Sequence, residues 1–219
     1  MAFANRNEAG VRLAAKLGRL KGEDVVVFAL PRGGVPVAAP IASALAAPLD
    51  LVLVRKLGTP NQPELAMGAI ADAGDPVIVR NEDVIAMARV SEAEFDAACQ
   101  REVLEIERRR RLYLGSRRHA DARGRIAIVV DDGIATGATT RAALRAIRAR
   151  RPKWLVLATP VAPPDALDLL REEADEIVCL EVHAKFGAIG YFYRDFHQLA
   201  DDEVIAILDQ FRAGGAKAT

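Results

Sequence analysis

The sequence predicts an α/β fold: a doubly wound, mostly parallel sheet flanked by helices, with a small cap. Three apolar runs, residues 24–30, 49–54 and 125–130, are rich in Val, Ile and Leu and lack strict polar alternation. That pattern suits strands buried on both faces, which is the situation inside a parallel sheet covered by helices. Helix-forming stretches fall between the runs, at a spacing that gives βαβ units with right-handed crossovers. Residues 58–73 and 185–198 break the alternation and are the expected cap elements.

The elements follow in order. Residues 35–47 are Ala-rich and follow Gly33-Gly34; Pro36 suits a first helical turn and Pro40 should tighten or bend the helix. Further strands are expected at 76–79, 154–160 and 176–182. Ser91-Glu92-Ala93-Glu94 reads as a capping box for a long helix reaching Tyr113 or beyond, so 82–118 is a helical insertion. Helices are also expected at 139–150, 164–174 and 201–211. The whole of 1–219 reads as one domain, without internal repeat, low-complexity tract or linker.

Composition narrows the function classes. The 219 residues are 51% hydrophobic, enough for a substantial core, and 30 Lys+Arg balance 30 Asp+Glu. Net neutrality argues against a protein living on non-specific nucleic-acid or membrane attraction. Cys99 and Cys179 have no CxxC partner, so neither metal site nor disulfide is expected, only reduced, buried thiols in a cytoplasmic protein. The first residues lack a secretory apolar stretch, and no run is long enough to span a bilayer. Arg108 to Arg111 and Arg117-Arg118 follow Glu102, Glu105 and Glu107 at helical spacing, which favours a solvated helical face over an RNA or acidic-partner surface. His119, His183 and His197 have no metal-ligand spacing, although His183, just past a strand, is a candidate to line the cleft.

The informative stretch is Asp131-Asp132-Gly133-Ile134-Ala135-Thr136-Gly137-Ala138-Thr139-Thr140, between the strand ending at Val130 and a helix. Ligands of open α/β sheets sit beyond the carboxyl ends of the strands. A helix start there offers unpaired amides and partial positive charge to a phosphate. Gly133 and Gly137 permit close backbone approach, and Thr136, Thr139 and Thr140 add hydroxyls. Two carboxylates would repel a simple anion. They suit a ligand that also presents a vicinal diol, through charge-assisted bonds of roughly 1.5–3 kcal/mol each. A ribose 5-phosphate has both features.

This stretch resembles the ribose-phosphate signature of type I phosphoribosyltransferases, and lacks the Gly-Lys-Ser/Thr of a Walker loop. Leu30-Pro31-Arg32-Gly33-Gly34-Val35-Pro36 resembles the family's pyrophosphate loop, which often contains a cis non-proline peptide. The resemblance, to a poorly characterised bacterial branch, implies transfer of a 5-phosphoribosyl group from 5-phosphoribosyl-1-pyrophosphate to a nitrogenous acceptor. It implies that Asp131 and Asp132 hold the diol and, directly or through water, Mg²⁺. Residues 133–140 would bind the 5-phosphate, and Arg32, Gly33 and Gly34, with Arg55 and Lys56 at the end of the second strand, the pyrophosphate. Glu64, Phe186, Tyr191 and Tyr193 are candidate acceptor contacts, since nucleobases stack on aromatic rings. Hypoxanthine/guanine members carry a third acid where this chain has Ala135, which counts against a 6-oxopurine acceptor; adenine-type and uracil-type members have similar loops. The expected partners are these small molecules, with a homodimer open. Alternative readings are a non-catalytic regulatory protein that senses phosphoribosyl pyrophosphate or a nucleotide, with its basic helix contacting RNA, and a nucleotide hydrolase or phosphorylase.

Overall fold

The computed structural model describes residues 2–72, 76–117 and 119–211. In chain order it contains α1 (Arg6–Leu17), β1 (Val25–Ala29), α2 (Gly34–Leu45), β2 (Leu49–Leu51), β3 (Leu53–Gly58), β4 (Ala66–Asp72), β5 (Pro76–Arg80), α3 (Glu82–Met87) and α4 (Glu92–Leu114). These are followed by β6 (Ile126–Val130), α5 (Ala138–Ala149), β7 (Trp154–Ala162), α6 (Pro164–Leu170), β8 (Glu176–Val182) and α7 (Asp201–Asp209).

Five strands form a wholly parallel sheet in the order β2-β1-β6-β7-β8. Its central strands β1 and β6 are buried at every residue. Alternate side chains feed two different cores. Val25, Val27, Ala29, Ile128 and Val130 pack with residues of α1, α2 and α4, whereas Val26, Phe28, Ala127 and Val129 pack with α5 and α6. Both faces are apolar because both are covered, and each buried Val, Ile or Phe contributes about 1.5–3 kcal/mol by leaving water.

Apart from the run 49–54, the expected helices and strands occur with end shifts of a few residues. Ser91 caps α4 through the reciprocal Glu94 box, and α2 continues through Pro40. The largest shift is in α6, which stops at Leu170 rather than 174.

Two features differ from the sequence reading. The run 49–54 is not one strand. Leu49–Leu51 pairs with β1, and the chain then leaves the main sheet at Val52, whose amide still donates to the Ala29 carbonyl at 3.0 Å. From Leu53 it enters a separate antiparallel sheet of order β3-β4-β5. An apolar run specifies burial but not which sheet supplies the partner, so the break left no trace in the pattern. Asp50 marks it physically: fully buried, it accepts from the amides of Leu51 (2.8 Å) and Ala120 (2.6 Å).

The small sheet therefore begins before residue 58 and extends past the expected cap, whose end at Ala73 lies outside the described residues, as does Arg118. The second difference is α1, which the sequence reading did not anticipate. Asn5 caps it by accepting from the Glu8 amide at 2.9 Å, and its apolar face packs on α2, β7 and β8. Phe3, fully buried, pairs with the tail after β8: its amide donates to Phe192 and its carbonyl accepts from Arg194, both at 2.8 Å. The N-terminus and the segment around the short 3-10 turn Ile189–Phe192 thus form one layer over the carboxyl ends of β6 and β7.

Candidate active site

The acidic loop leaves β6 at the carboxyl edge of the parallel sheet and enters α5. Gly137 stands at the helix cap with φ 78°, a left-handed conformation that favours glycine. No side chain caps this helix, so its first amides face the loop's concave side without a side-chain acceptor. A cavity of about 240 Å³ is lined by residues 131–140 together with Lys56 and Ile189. Thr136 and Ala138 are exposed there, Ala135 presents no acid, and Thr139 is half-buried. Ile134 plays a different part. Its side chain lies in the core and its amide donates to the Val161 carbonyl at 2.9 Å, so it anchors the loop.

The two acids are not equivalent. Asp131 is partly exposed at the cavity; its Oδ1 accepts from the Asp132 amide at 2.9 Å and its Oδ2 from Thr140 Oγ1 at 3.3 Å. Asp132 is buried, and its Oδ2 accepts from Arg6 Nε at 2.7 Å. Its main-chain carbonyl accepts from the Tyr193 hydroxyl at 2.5 Å. Burial first, and then the neighbouring Asp132 charge, push the Asp131 carboxyl well above the usual carboxylate range. Burial also raises Asp132, against the opposing effect of Arg6.

The second loop meets the first through Gly33. A Cβ placed there would lie 1.9 Å from Asp132 Oδ2, so only glycine lets the carboxylate sit against this turn. The Pro31–Arg32 peptide is cis. Gly34 opens α2 with its amide committed to the Leu30 carbonyl at 2.9 Å. Arg32 and Gly33 line a second cavity, of about 320 Å³, with Arg6, Phe196, His197, Gln198 and Leu199. Arg32 comes within 3.8 Å of Asp201, a long contact between two half-exposed side chains.

Several expected positions are placed elsewhere. Arg55 lies on β3, not at the end of a parallel strand, and is spent on Glu102 of α4 at 2.6 Å. Alternation along β3 sends its neighbour Lys56 to the other face, where it lines the acidic-loop cavity. Glu64 is exposed in the turn between β3 and β4 and does not line either cavity described above. Tyr193 is buried against Phe3 and Phe196 and supports the acidic loop from behind. Phe186 stacks on Phe192, and Tyr191 is largely exposed, so neither lines those two cavities. His183 pairs with Glu181 and packs on Phe192 rather than on a cleft.

Arg108 and Arg109 pair with Glu105, and Arg111 with Glu107, along the exposed side of α4. Cys99 is buried, whereas Cys179 is only half-buried; burial raises both thiols, Cys179 to about 11, which keeps it protonated. No described helix is long and apolar enough to cross a membrane. Arg6 is the residue that sequence reasoning missed. Its signal was a basic residue on the apolar face of a helix, in register with Ala9, Gly10 and Leu13.

Against this geometry, the family model for the phosphoribosyl transferase domain matches residues 4–195, which takes in α1, both loops and the tail segment. The chain belongs to this phosphoribosyl transferase family. Two curated relatives, MT0597 and Rv0571c from two strains of Mycobacterium tuberculosis, bear provisional phosphoribosyl transferase names. Each is 47% identical over 216 residues, covering 99% of this chain but 48% of the relative. The chain therefore spans about half the length of those relatives. Among solved structures, TT1426 of Thermus thermophilus is 41% identical with a TM-score of 0.78, covering 96% of this phosphoribosyl transferase chain and 99% of its own.

Proposed function

We propose that this chain transfers a 5-phosphoribosyl group from 5-phosphoribosyl-1-pyrophosphate to a nitrogenous acceptor, with Mg²⁺ and with release of pyrophosphate. The observation that carries the reading is the contact between Gly33 and Asp132, which joins a two-carboxylate loop with an uncapped helix start to a second loop bearing Arg32. A diol fits the acids, a phosphate fits residues 133–140, and a pyrophosphate fits the cationic side.

In this reading the C1–O bond breaks with its electron pair passing to pyrophosphate, and the acceptor nitrogen lone pair forms the new bond at C1. No protein nucleophile is needed; holding the sugar, stabilising the leaving group and excluding water supply the rate. The 5-phosphate takes amides of the α5 start and the Thr136 and Thr139 hydroxyls. Lys56, on the small sheet, adds a positive charge facing the same cavity. Asp131 fits a Mg²⁺ site because it is partly exposed at the cavity and lightly bonded, and such ions take one or two carboxylates while keeping several waters. When bound, Mg²⁺ would supply positive charge to the departing pyrophosphate. Ala135 leaves the loop without a third acid, which favours a nucleobase-like acceptor other than a 6-oxopurine.

The test is calorimetry with 5-phosphoribosyl-1-pyrophosphate and Mg²⁺, followed by pyrophosphate release against a panel of nucleobases. Binding and turnover on at least one acceptor are expected. Asp131→Asn should weaken binding at least tenfold, since it loses charge-assisted bonds worth roughly 1.5–3 kcal/mol. Absence of binding, or an unchanged affinity in the variant, would remove the reading; binding without turnover on any acceptor would favour a sensor.

A further inference from the structure

Arg6 comes from the first turn of α1, far in sequence from either loop, yet it reaches the middle of the site. Three contacts fix its guanidinium. Nε donates to Asp132 Oδ2 at 2.7 Å, Nη1 donates to the His197 carbonyl at 3.0 Å, and the group lies 3.7 Å over the Phe196 ring. Its side chain is 10% exposed, so the position is built rather than a chance surface pairing. Nη2 takes neither bond.

Arg6 lines a neighbouring cavity with Asp195 and Glu203, and also the 320 Å³ cavity together with Arg32 and Gly33. That lining contains two arginines and no carboxylate, while the 240 Å³ cavity holds both acids. The two cavities share no lining residue, and the Asp132 carboxylate lies against Arg6 and Gly33 of the second. A space with two forked cations suits a compact dianionic group with several oxygens, because a guanidinium bonds phosphoryl oxygens in pairs.

We propose that Arg6 is a second ligand of the pyrophosphate group, facing Arg32, and that it ties this group to Asp132. The assignment rests on the transferase reading above and adds a residue to it. One edge of the fork is spent on Asp132, and the remaining N–H bonds hold the leaving group, so loss of Arg6 costs the pyrophosphate more than the ribose. Lysine is a poorer substitute, because its ammonium lacks the planar fork that addresses the carboxylate from one edge and phosphoryl oxygens in pairs from the other.

The test is calorimetry of the intact chain with Mg²⁺-pyrophosphate and, separately, with ribose 5-phosphate, for wild type, Arg6→Gln, Arg6→Lys and Arg32→Ala. Arg6→Gln is expected to weaken pyrophosphate at least tenfold while ribose 5-phosphate changes less than threefold. Arg6→Lys, which keeps a positive charge beside Asp132 and so guards against simple misfolding, should still lose at least fivefold for pyrophosphate. Arg32→Ala should match Arg6→Gln in its selectivity. The assignment is overturned if Arg6→Lys binds pyrophosphate like wild type, or if Arg6→Gln weakens both ligands equally, which is the mark of a purely structural residue. A wild-type chain that binds neither ligand would overturn the transferase reading itself, an outcome distinct from a wild type that binds both with the Arg6 variants unmoved.

Discussion

Replacing His119 with Gln should make the stability of this protein less dependent on pH between about 6.5 and 9. His119 follows α4 and is inserted between the two sheets. Its Nδ1 lies 3.3 Å from Asp50 on β2, and its Nε2 lies 3.7 Å from Asp72 at the end of β4. Burial opposes charge on the ring, but the two carboxylates outweigh it and raise His119 from 6.5 to about 9; Asp50 is correspondingly lowered. Arg117 and Arg150 approach the same region, donating to the main-chain carbonyls of Leu49 and Ala120.

A folded-state value above the unfolded one means the charged ring stabilises the fold fully below about 6.5, progressively less above it, and not at all beyond about 9. At ~1.4 kcal/mol per pH unit the ceiling is about 3 kcal/mol. Neither ring nitrogen is aligned as a hydrogen bond, so about 2 kcal/mol is the better expectation. Urea unfolding of wild type and His119→Gln from pH 5.5 to 9.5 measures it. The wild-type advantage should be largest at the acid end and disappear near pH 9.5. A difference that stays constant, or grows with pH, would refute a charged His119 joining the sheets.

Two further substitutions probe the framework of the site. Gly33→Ala puts a methyl 1.9 Å from Asp132 Oδ2, so the carboxylate must retreat by about 1 Å and strain its bond to Arg6, at a cost of roughly 1–3 kcal/mol. Its melting temperature should fall and 5-phosphoribosyl-1-pyrophosphate affinity should drop at least tenfold; wild-type affinity would show that the loops do not meet as described. Tyr193→Phe deletes the bond to the Asp132 carbonyl and should destabilise by about 1–3 kcal/mol in urea unfolding. The acceptor KM should stay within twofold, since Tyr193 lies behind the loop; a large rise in KM with unchanged stability would return it to the acceptor pocket.

What the sequence made legible was local. The stretch from Asp131 to Thr140 carries its chemistry in consecutive residues, and β1 and β6 carry burial on both faces in consecutive residues, so each was readable without knowing its neighbours. What escaped depended on distant chain. Arg6 is separated from Asp132 by 126 positions, and nothing in Asn5-Arg6-Asn7-Glu8 declares that its helix will cover the acidic loop. Arg55 and Lys56 were readable as a basic pair at a strand end, but the switch of sheets at Val52 decides which of them faces the cavity. The aromatic residues of the tail had the right chemistry for stacking on a ligand. Tyr193 and Phe186 stack instead on Phe3, Phe196 and Phe192, which fasten the tail.

The asymmetry between the acids follows from the same convergence. Asp132 has its carboxylate on Arg6, its carbonyl on Tyr193 and its amide on the neighbouring Asp131, so two distant segments and its own loop fix it before any ligand arrives. Asp131 has one weak side-chain donor, Thr140, and a carboxyl raised by burial and by its neighbour. Hydroxyl donors or a cation reaching Asp131 would relieve that cost, whereas the same ligand reaching Asp132 would compete with a bond already made. In the proposed reading the energetic gain on binding would be concentrated at Asp131, and Asp132 would act mainly by holding Arg6 and Gly33 at the correct separation from it. A paired-acid loop that looks symmetric in sequence is divided by its surroundings into one group kept in place and one left available.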